Sequence, residues 1–316
     1  MTSLLWCGAA LVVLFVAVAV AIPVSVLTWW AGWSRRAGPA TPVPPPAALP
    51  AAAPAAGPFL VYLSGVGDIS GEYQTRYEDD MLAAVAARVP GLVVIEDVFA
   101  YSVENMSMTS QRQLGWFWAW VNAVRLRKDS PIKRLGKLIN LRNMLHIAVS
   151  ADRRYGPIYN YGVAEMILQG LVRHGYVPGS GAPVTLLGYS GGGQIALATA
   201  GYVQATLRAP VQVVSLAGIM NSSSSLATIS AVTHLYGTED RGQRLGDLIF
   251  PARWPLFPGS HWGQALAKGR LRLVCLGPMR HSGRGSYLDA TMRVADGRSY
   301  LDVTSDAIAE LLLLLR

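Results

Sequence analysis

The amino-acid sequence predicts an α/β fold: a mostly parallel β-sheet flanked by helices, with an inserted lid and a preceding membrane-spanning helix. Strand-length apolar segments alternate with helical patterns from residue 59 onward, which is typical of parallel strands joined by crossover helices. One interval between a strand and the next helix is too long for a simple connection. Hydrophobic residues make up 52% of the 316 residues and charged residues 15%, which excludes a mainly disordered chain.

Residues 1–36 contain the predicted transmembrane helix. No acidic or basic side chain occurs from Leu4 to Gly32, a span longer than the roughly 20 residues that a membrane helix needs. A cleaved signal peptide is the alternative, although it would have a basic amino end and a shorter apolar core. Arg35 and Arg36 flank only the carboxyl end of the span, so the positive-inside rule predicts a single-pass protein with its main domain in the cytoplasm.

Residues 37–58 form the predicted linker. They are mainly Ala and Pro, which favour extended polyproline-type backbone and cannot build a core. We expect a spacer between the membrane helix and a domain that comprises residues 59–316.

Six apolar segments in this domain have the length of a buried strand. Because their apolar residues are continuous rather than alternating, we expect the sheet to be covered on both faces. The predicted strands are 59–63, 92–95, 184–187, 211–216, 231–236 and 271–276. The predicted helices are 74–88, 160–174, 193–207 and 303–315.

Residues 98–159 form the predicted insertion, which combines aromatic and basic residues. Trp116, Phe117, Trp118 and Trp120 precede a basic stretch. A cap over the domain is one interpretation, and a surface at residues 114–142 that lies in a membrane interface is the other.

The net charge of +8 is concentrated in the same insertion. Residues 125–154 include nine Lys or Arg residues and two Asp residues, a net charge of +7, so the rest of the chain is nearly neutral. Because no nucleic-acid-binding motif accompanies this basic patch, nucleic acid is not an expected partner.

The segment Gly188-Tyr189-Ser190-Gly191-Gly192 has the pattern G-x-S-x-G between a predicted strand and a predicted helix. In this setting the pattern indicates a nucleophile elbow, a sharp turn that projects a serine hydroxyl above the sheet. Glycines two residues before and after the serine leave room for neighbouring backbone. Ser190 is therefore the candidate nucleophile.

With this motif, residues 59–316 resemble the α/β-hydrolase family. The resemblance implies a catalytic triad in which an acid and then a histidine follow the serine along the chain. The family's acid follows a late strand, and the turn that begins at Gly237 puts Asp240 at that point, with Glu239 as the adjacent substitute and Asp247 as a poorer one. The alternative is that Asp240 only caps the next helix or turn.

The family's histidine lies in the loop after the last strand, where this sequence has His281. The other four histidines lie in the insertion, at a helix end, within a strand and before the last strand. They are His146, His174, His234 and His261.

The resemblance also implies an oxyanion hole made of backbone N–H groups. One donor is the residue after the nucleophile, Gly191. The other comes from the loop after the first strand, where Val66 is the matching residue. Many relatives have His-Gly where this sequence has Ser64-Gly65. This difference affects the expected geometry of the loop but not the donor itself, which is a backbone N–H group.

Together these residues predict a membrane-anchored serine hydrolase that cleaves carboxylic esters through an acyl-enzyme. The membrane helix and the tryptophan-rich insertion favour a hydrophobic or lipid-derived acyl substrate. Acyl transfer by the same triad is one alternative, and a catalytically silent, membrane-bound binding module is another. The two cysteines lie far apart and no dinucleotide-binding loop occurs, so neither a metal nor a cofactor is expected.

Overall fold

The computed structural model describes residues 22–27, 29–31, 57–71, 75–111, 114–127 and 132–314. The predicted membrane helix at 1–36 lies largely outside these residues, and so does the predicted linker at 37–58. In the part of the chain that is described, no helix has both the length and the apolar character needed to cross a bilayer.

A six-stranded sheet forms the centre of the domain, and all its neighbouring strands are parallel. The spatial order is β2-β1-β3-β4-β5-β6. Each strand coincides with a predicted apolar segment to within two residues, which confirms the predicted parallel sheet. The strands are β1 (Phe59–Leu63), β2 (Val93–Ile95), β3 (Val184–Tyr189), β4 (Val211–Leu216), β5 (Ala231–Tyr236) and β6 (Leu271–Cys275).

Helices connect the strands and cover the sheet. They are α1 (Arg76–Arg88), α2 (Gly115–Leu126), α3 (Lys137–Ala151), α4 (Gly156–Arg173), α5 (Gly191–Leu207), α6 (Arg241–Ile249), α7 (His261–Ala267) and α8 (Tyr300–Leu313). Helix α4 begins earlier than the predicted residue 160 because Pro157 lies in its first turn, where a missing N–H costs no helical hydrogen bond.

Side chains of β1, β3 and β4 are buried at both faces of the sheet, as predicted, whereas the edge strand β6 departs from the prediction and is exposed from Arg272 to Cys275. Along β1, Phe59 and Val61 contribute to the core shared with α4 and α5. The alternate residues Leu60 and Tyr62 pack in the core shared with α1 and α8. Helices on both faces of a parallel sheet make this an α/β fold.

The insertion between β2 and α4 is mostly helical and consists mainly of α2 and α3. Its aromatic residues divide between core and surface. Trp118 is buried in the core, whereas Trp116 and Trp120 are exposed. The insertion therefore packs on the domain and also presents aromatic side chains to its surroundings.

Helical residues 22–27 and 29–30 also contact the domain. Val26 and Trp29 belong to the same buried cluster as α4. A Cβ atom added at Gly162 of α4 would lie 3.0 Å from the Trp29 ring, so the absence of a side chain there lets the indole pack closely.

The carboxyl ends of all six strands lie at one edge of the sheet. Strands β1 and β3 are neighbours there, although their crossovers leave in opposite directions along the sheet, to β2 and to β4. Sheets of this kind place ligands at such a topological switch point. Ser190 follows β3 directly, so it lies at this edge.

Candidate active site

Ser190 lies in a strained turn between β3 and α5. Its backbone has φ 52° and ψ −117°, a positive φ that is rarely adopted by residues other than glycine. The Ser190 N–H donates to the carbonyl oxygen of Leu216 at 2.9 Å, and its own carbonyl accepts from Gly193 N–H at 3.1 Å. These hydrogen bonds to β4 and to the start of α5 hold the turn.

The two outer glycines of the motif allow the backbone to approach closely. A Cβ atom at Gly188 would lie only 2.6 Å from the Gly193 Cα atom. One at Gly192 would overlap the carbonyl of Leu63 and lie 2.7 Å from the Ser64 carbonyl oxygen. A side chain at either position would therefore displace backbone, which explains why this turn requires glycine.

The structure brings Ser190, His281 and Asp240 together in one hydrogen-bonded chain. Ser190 Oγ lies 2.8 Å from His281 Nε2. His281 Nδ1 lies 3.0 Å from each carboxylate oxygen of Asp240. Ser190 is 7% exposed and Asp240 is fully buried. A serine hydroxyl, an imidazole and a buried carboxylate in this order can activate the serine as a nucleophile.

Asp240 is held in its ionised form by several donors. Its Oδ1 accepts from Gln243 N–H at 3.0 Å, so Asp240 caps α6 while it also contacts the histidine. Burial alone would raise the pKa of Asp240, but hydrogen bonds from His281, Gln243 and Tyr287 and the charge of His281 together hold this pKa below its ordinary value. The capping and the triad interpretations of Asp240 are thus compatible.

Tyr287 is a buried member of the site that the sequence analysis missed. Its hydroxyl donates to Asp240 Oδ2 at 2.8 Å and accepts from Gly237 N–H at 2.7 Å. Burial and the Asp240 charge raise the pKa of Tyr287, so the hydroxyl keeps the proton that it donates. Only its position shortly after His281 could have suggested this role.

Tyr189, next to the nucleophile, holds the histidine in place. Its ring stacks on the His281 imidazole with centroids 6.0 Å apart, and its hydroxyl donates to the His281 carbonyl oxygen at 2.5 Å. Tyr189, the residue before the serine in the G-x-S-x-G motif, thereby fixes the loop that carries His281.

Gly191 and Val66, the residues expected to supply the oxyanion donors, lie close to each other. Gly191 is the first residue of α5, so its N–H has no carbonyl acceptor one turn earlier in the helix. A Cβ atom added at Gly191 would lie 2.8 Å from a methyl group of Val66. A Cβ atom added at Gly65 would lie 3.7 Å from the Ser190 Cβ atom, which places the loop after β1 beside the serine.

The substitute acids that the sequence offers have other partners. Glu239 pairs with Arg280 at 2.9 Å, and Asp247 pairs with Arg253 at 2.9 Å. Only Asp240 of these three acids contacts His281 among the contacts of the described residues.

The other histidines also have surroundings unlike those of a catalytic base. His234 is buried within β5, where burial lowers its pKa to about 4. His146 is buried on α3, and His261 is exposed on α7. Across the described ranges, no group of three or more His, Cys, Asp or Glu side chains is arranged to hold a metal ion.

Comparison with protein-family models and with curated protein sequences finds no match. Among solved structures, the chain is similar to a dienelactone hydrolase-like promiscuous phosphotriesterase from metagenomic libraries. The two share 13% sequence identity and a TM-score of 0.45 over 82% of this chain and 86% of that chain. It is also similar to a dienelactone hydrolase from Anabaena variabilis, with 14% identity and a TM-score of 0.43 over 83% of this chain and 88% of that chain.

Proposed function

We propose that this protein is a serine hydrolase that cleaves carboxylic esters through an acyl-enzyme. The observation that supports it most is the continuous hydrogen-bonded chain from Ser190 through His281 to Asp240. The strained turn at Ser190 adds support, because backbone strain of this kind persists where the surrounding structure enforces it, often at functional sites.

In the proposed first half-reaction, Ser190 Oγ attacks the ester carbonyl carbon while His281 Nε2 takes the hydroxyl proton. The resulting oxyanion accepts hydrogen bonds from the N–H groups of Gly191 and Val66. The bond to the leaving alcohol then breaks, and His281 returns the proton to the alcohol oxygen. Asp240 remains ionised and stabilises the imidazolium throughout.

In the second half-reaction, His281 deprotonates a water molecule that attacks the acyl carbon of the acyl-enzyme. The bond between the acyl carbon and Ser190 Oγ breaks, and the serine oxygen regains its proton from His281. The products are a carboxylic acid and the free enzyme. An acyl acceptor other than water would use the same steps and would convert the reaction into acyl transfer.

A hydrophobic acyl group is the substrate class that the surroundings of the serine favour. Ile147 and Val66 are the apolar side chains nearest to Gly191. Apolar side chains beside a reactive group are typical of sites that receive apolar ligands.

The test is labelling with a fluorophosphonate probe followed by mass-spectrometric mapping. We expect the label on Ser190, and we expect it to be lost in Ser190→Ala and in His281→Ala. His261→Ala is the matched control because this histidine is exposed on α7. Hydrolysis of p-nitrophenyl esters from acetate to laurate then measures the acyl preference. A folded wild-type protein that takes no label would contradict the proposal and favour a silent binding module.

Membrane anchoring by the apolar residues from Leu4 to Ala21 is part of the proposal, with the domain on the cytoplasmic side. These residues carry no charged side chain, which supports the anchor, whereas Val26 and Trp29 farther along are buried against the domain. Arg35 and Arg36 support the orientation. Alkaline carbonate extraction tests the anchor. A reporter fused to the carboxyl end, active only outside the cytoplasm, would contradict the orientation if it became active.

A further inference from the structure

Asn143 links the insertion to the loop that follows β1. It is fully buried on α3. Its amide nitrogen donates to the carbonyl oxygen of Val66 at 3.0 Å and to that of Asp68 at 2.8 Å. Both hydrogens of the side-chain amide are therefore used by one loop. Its amide oxygen accepts from Arg142 at 3.0 Å, which orients the amide group.

Two further side chains of the insertion contact this same loop, residues 64–68. The Tyr101 hydroxyl donates to the Ser64 carbonyl oxygen at 2.8 Å. Arg125 donates to the Gly67 carbonyl oxygen at 2.5 Å. Strand pairing ends at Leu63, so the sheet itself does not hold the residues that follow. Within the loop, the Gly65 carbonyl oxygen accepts from Asp68 N–H at 3.4 Å, and side chains from the insertion add three further restraints.

The sequence of the loop explains why it needs such restraint. Val66 lies between Gly65 and Gly67, and glycine on both sides gives the backbone unusual freedom. Each peptide unit is planar, so a hydrogen bond to a carbonyl oxygen fixes the orientation of that whole unit. Tyr101 fixes the unit that begins at Ser64, and Asn143 fixes the unit that begins at Val66. The Val66 N–H belongs to the unit between these two.

We propose that Asn143 is a positioning residue for the oxyanion hole: it orients the Val66 N–H toward the oxygen that becomes charged during acylation. This inference rests on the proposed hydrolase function. The oxyanion exists only in the tetrahedral intermediate and in the transition states that lead to and from it. An incorrectly oriented donor therefore reduces stabilisation of the transition state more than it reduces binding of the substrate. The loss must therefore appear in kcat rather than in KM.

Asn143→Asp is the most informative variant. It keeps the size of the side chain but places an oxygen where the two loop carbonyls need a donor. Removing an oxyanion donor lowers kcat by roughly 10²–10³-fold, and a displaced donor costs less. We expect kcat and the rate of fluorophosphonate labelling to fall about 10- to 100-fold, with KM within about twofold of wild type.

Asn140→Asp is the matched control. Asn140 lies on the same helix and is partly exposed, and among the described residues its side chain makes no hydrogen bond to residues 64–68. The variant therefore carries the same change of charge without removing a contact to this loop. We expect it to retain wild-type kcat and labelling rate. Circular dichroism and thermal melting establish that each variant is folded.

Tyr101→Phe provides a second test if Asn143→Asp does not fold. It removes only the hydroxyl that contacts the Ser64 carbonyl and keeps the buried ring. We expect a smaller loss, about 3- to 10-fold in kcat, again without a change in KM. Wild-type kcat in both folded variants, or a KM that rises as kcat falls, overturns the role of Asn143.

The outcomes separate this inference from the proposed function. Wild-type protein that is labelled on Ser190, together with an Asn143→Asp variant labelled at the same rate, overturns only the positioning role. Wild-type protein that is folded but takes no label overturns both proposals.

Discussion

Tyr287→Phe removes one hydroxyl from the buried end of the candidate site. That hydroxyl donates to Asp240 at 2.8 Å and accepts from the Gly237 N–H at 2.7 Å. The ring of Tyr287 is fully buried, and phenylalanine keeps its shape, so the change isolates the two hydrogen bonds.

The expected loss of folding stability follows from the charge of the partner. A hydrogen bond to an ionised group contributes about 1.5–3 kcal/mol, and a buried N–H left without an acceptor costs about 1–3 kcal/mol. The two costs arise from removal of the same hydroxyl and are therefore not fully additive. We expect the free energy of unfolding at pH 7 to fall by about 2–4 kcal/mol. The triad is also less firmly held, so kcat falls.

The pH dependence distinguishes this explanation from a general packing defect. The Tyr287 hydroxyl is one of the groups that lower the pKa of Asp240. A lowered carboxyl pKa stabilises the fold above the unfolded-state pKa, about 3.9, and this contribution is lost as pH falls through the folded-state pKa. The difference between wild type and Tyr287→Phe should therefore shrink as the pH falls below about 5.

Urea unfolding from pH 7 down to the lowest pH at which the wild type stays folded measures this difference. Tyr176→Phe is the matched control, because Tyr176 is a buried tyrosine whose hydroxyl donates at 3.2 Å to the neutral carbonyl of Ala182. The free energy of unfolding of Tyr176→Phe should be about 0.5–1.5 kcal/mol lower than that of the wild type, and this difference should be independent of pH. A Tyr287→Phe deficit that is equally large at every pH would refute the reasoning.

Three further substitutions test separate parts of the site. Gly188→Ala should abolish fluorophosphonate labelling, because the new methyl group would lie 2.6 Å from the Gly193 Cα atom and distort the elbow; labelling at the wild-type rate would contradict this. Gly242→Ala should lower kcat at least about tenfold with little change in melting temperature, because its methyl group would lie 2.8 Å from His281 Nδ1; steady-state kinetics and melting curves decide. Asp68→Asn should stabilise the fold, by a margin that grows between pH 5 and pH 8. Burial raises the pKa of Asp68 to about 8, so the wild type loses stability as pH rises from the unfolded-state pKa toward that value, whereas asparagine does not ionise. Urea unfolding at both pH values checks this, and a constant margin would count against it.

The strands could be predicted closely because each is a short, mainly apolar segment of strand length, although β4, β5 and β6 also contain polar residues. Helices α6 and α7 were not predicted. Helix α6 has nine residues, and its buried positions are Gln243 and Gly246 rather than an apolar stripe. It begins because Asp240 caps it, an effect of one side chain that periodicity does not reveal.

The candidate triad could be located because the resemblance to the α/β-hydrolase family implies an acid and then a histidine after the serine. Ser190, Asp240 and His281 each follow a strand of the parallel sheet. The carboxyl ends of such strands meet at one edge. Tyr287 and Asn143 carry no comparable signal. Each acts through a hydrogen bond to a residue far away in the sequence. A single tyrosine or asparagine in a loop or helix usually has no role in a functional site, so its presence alone does not predict one.

The sheet and the insertion hold different parts of the site. Strands β3, β5 and β6 end just before the nucleophile, the acid and the base, so the hydrogen-bonded core fixes their relative positions. The loop after β1 instead depends on Tyr101, Arg125 and Asn143, all from the insertion. Variants in the insertion should therefore reduce stabilisation of the oxyanion while the triad keeps its geometry. In such variants the hydrogen bonds of Ser190 and His281 remain in place although the rate of acylation falls.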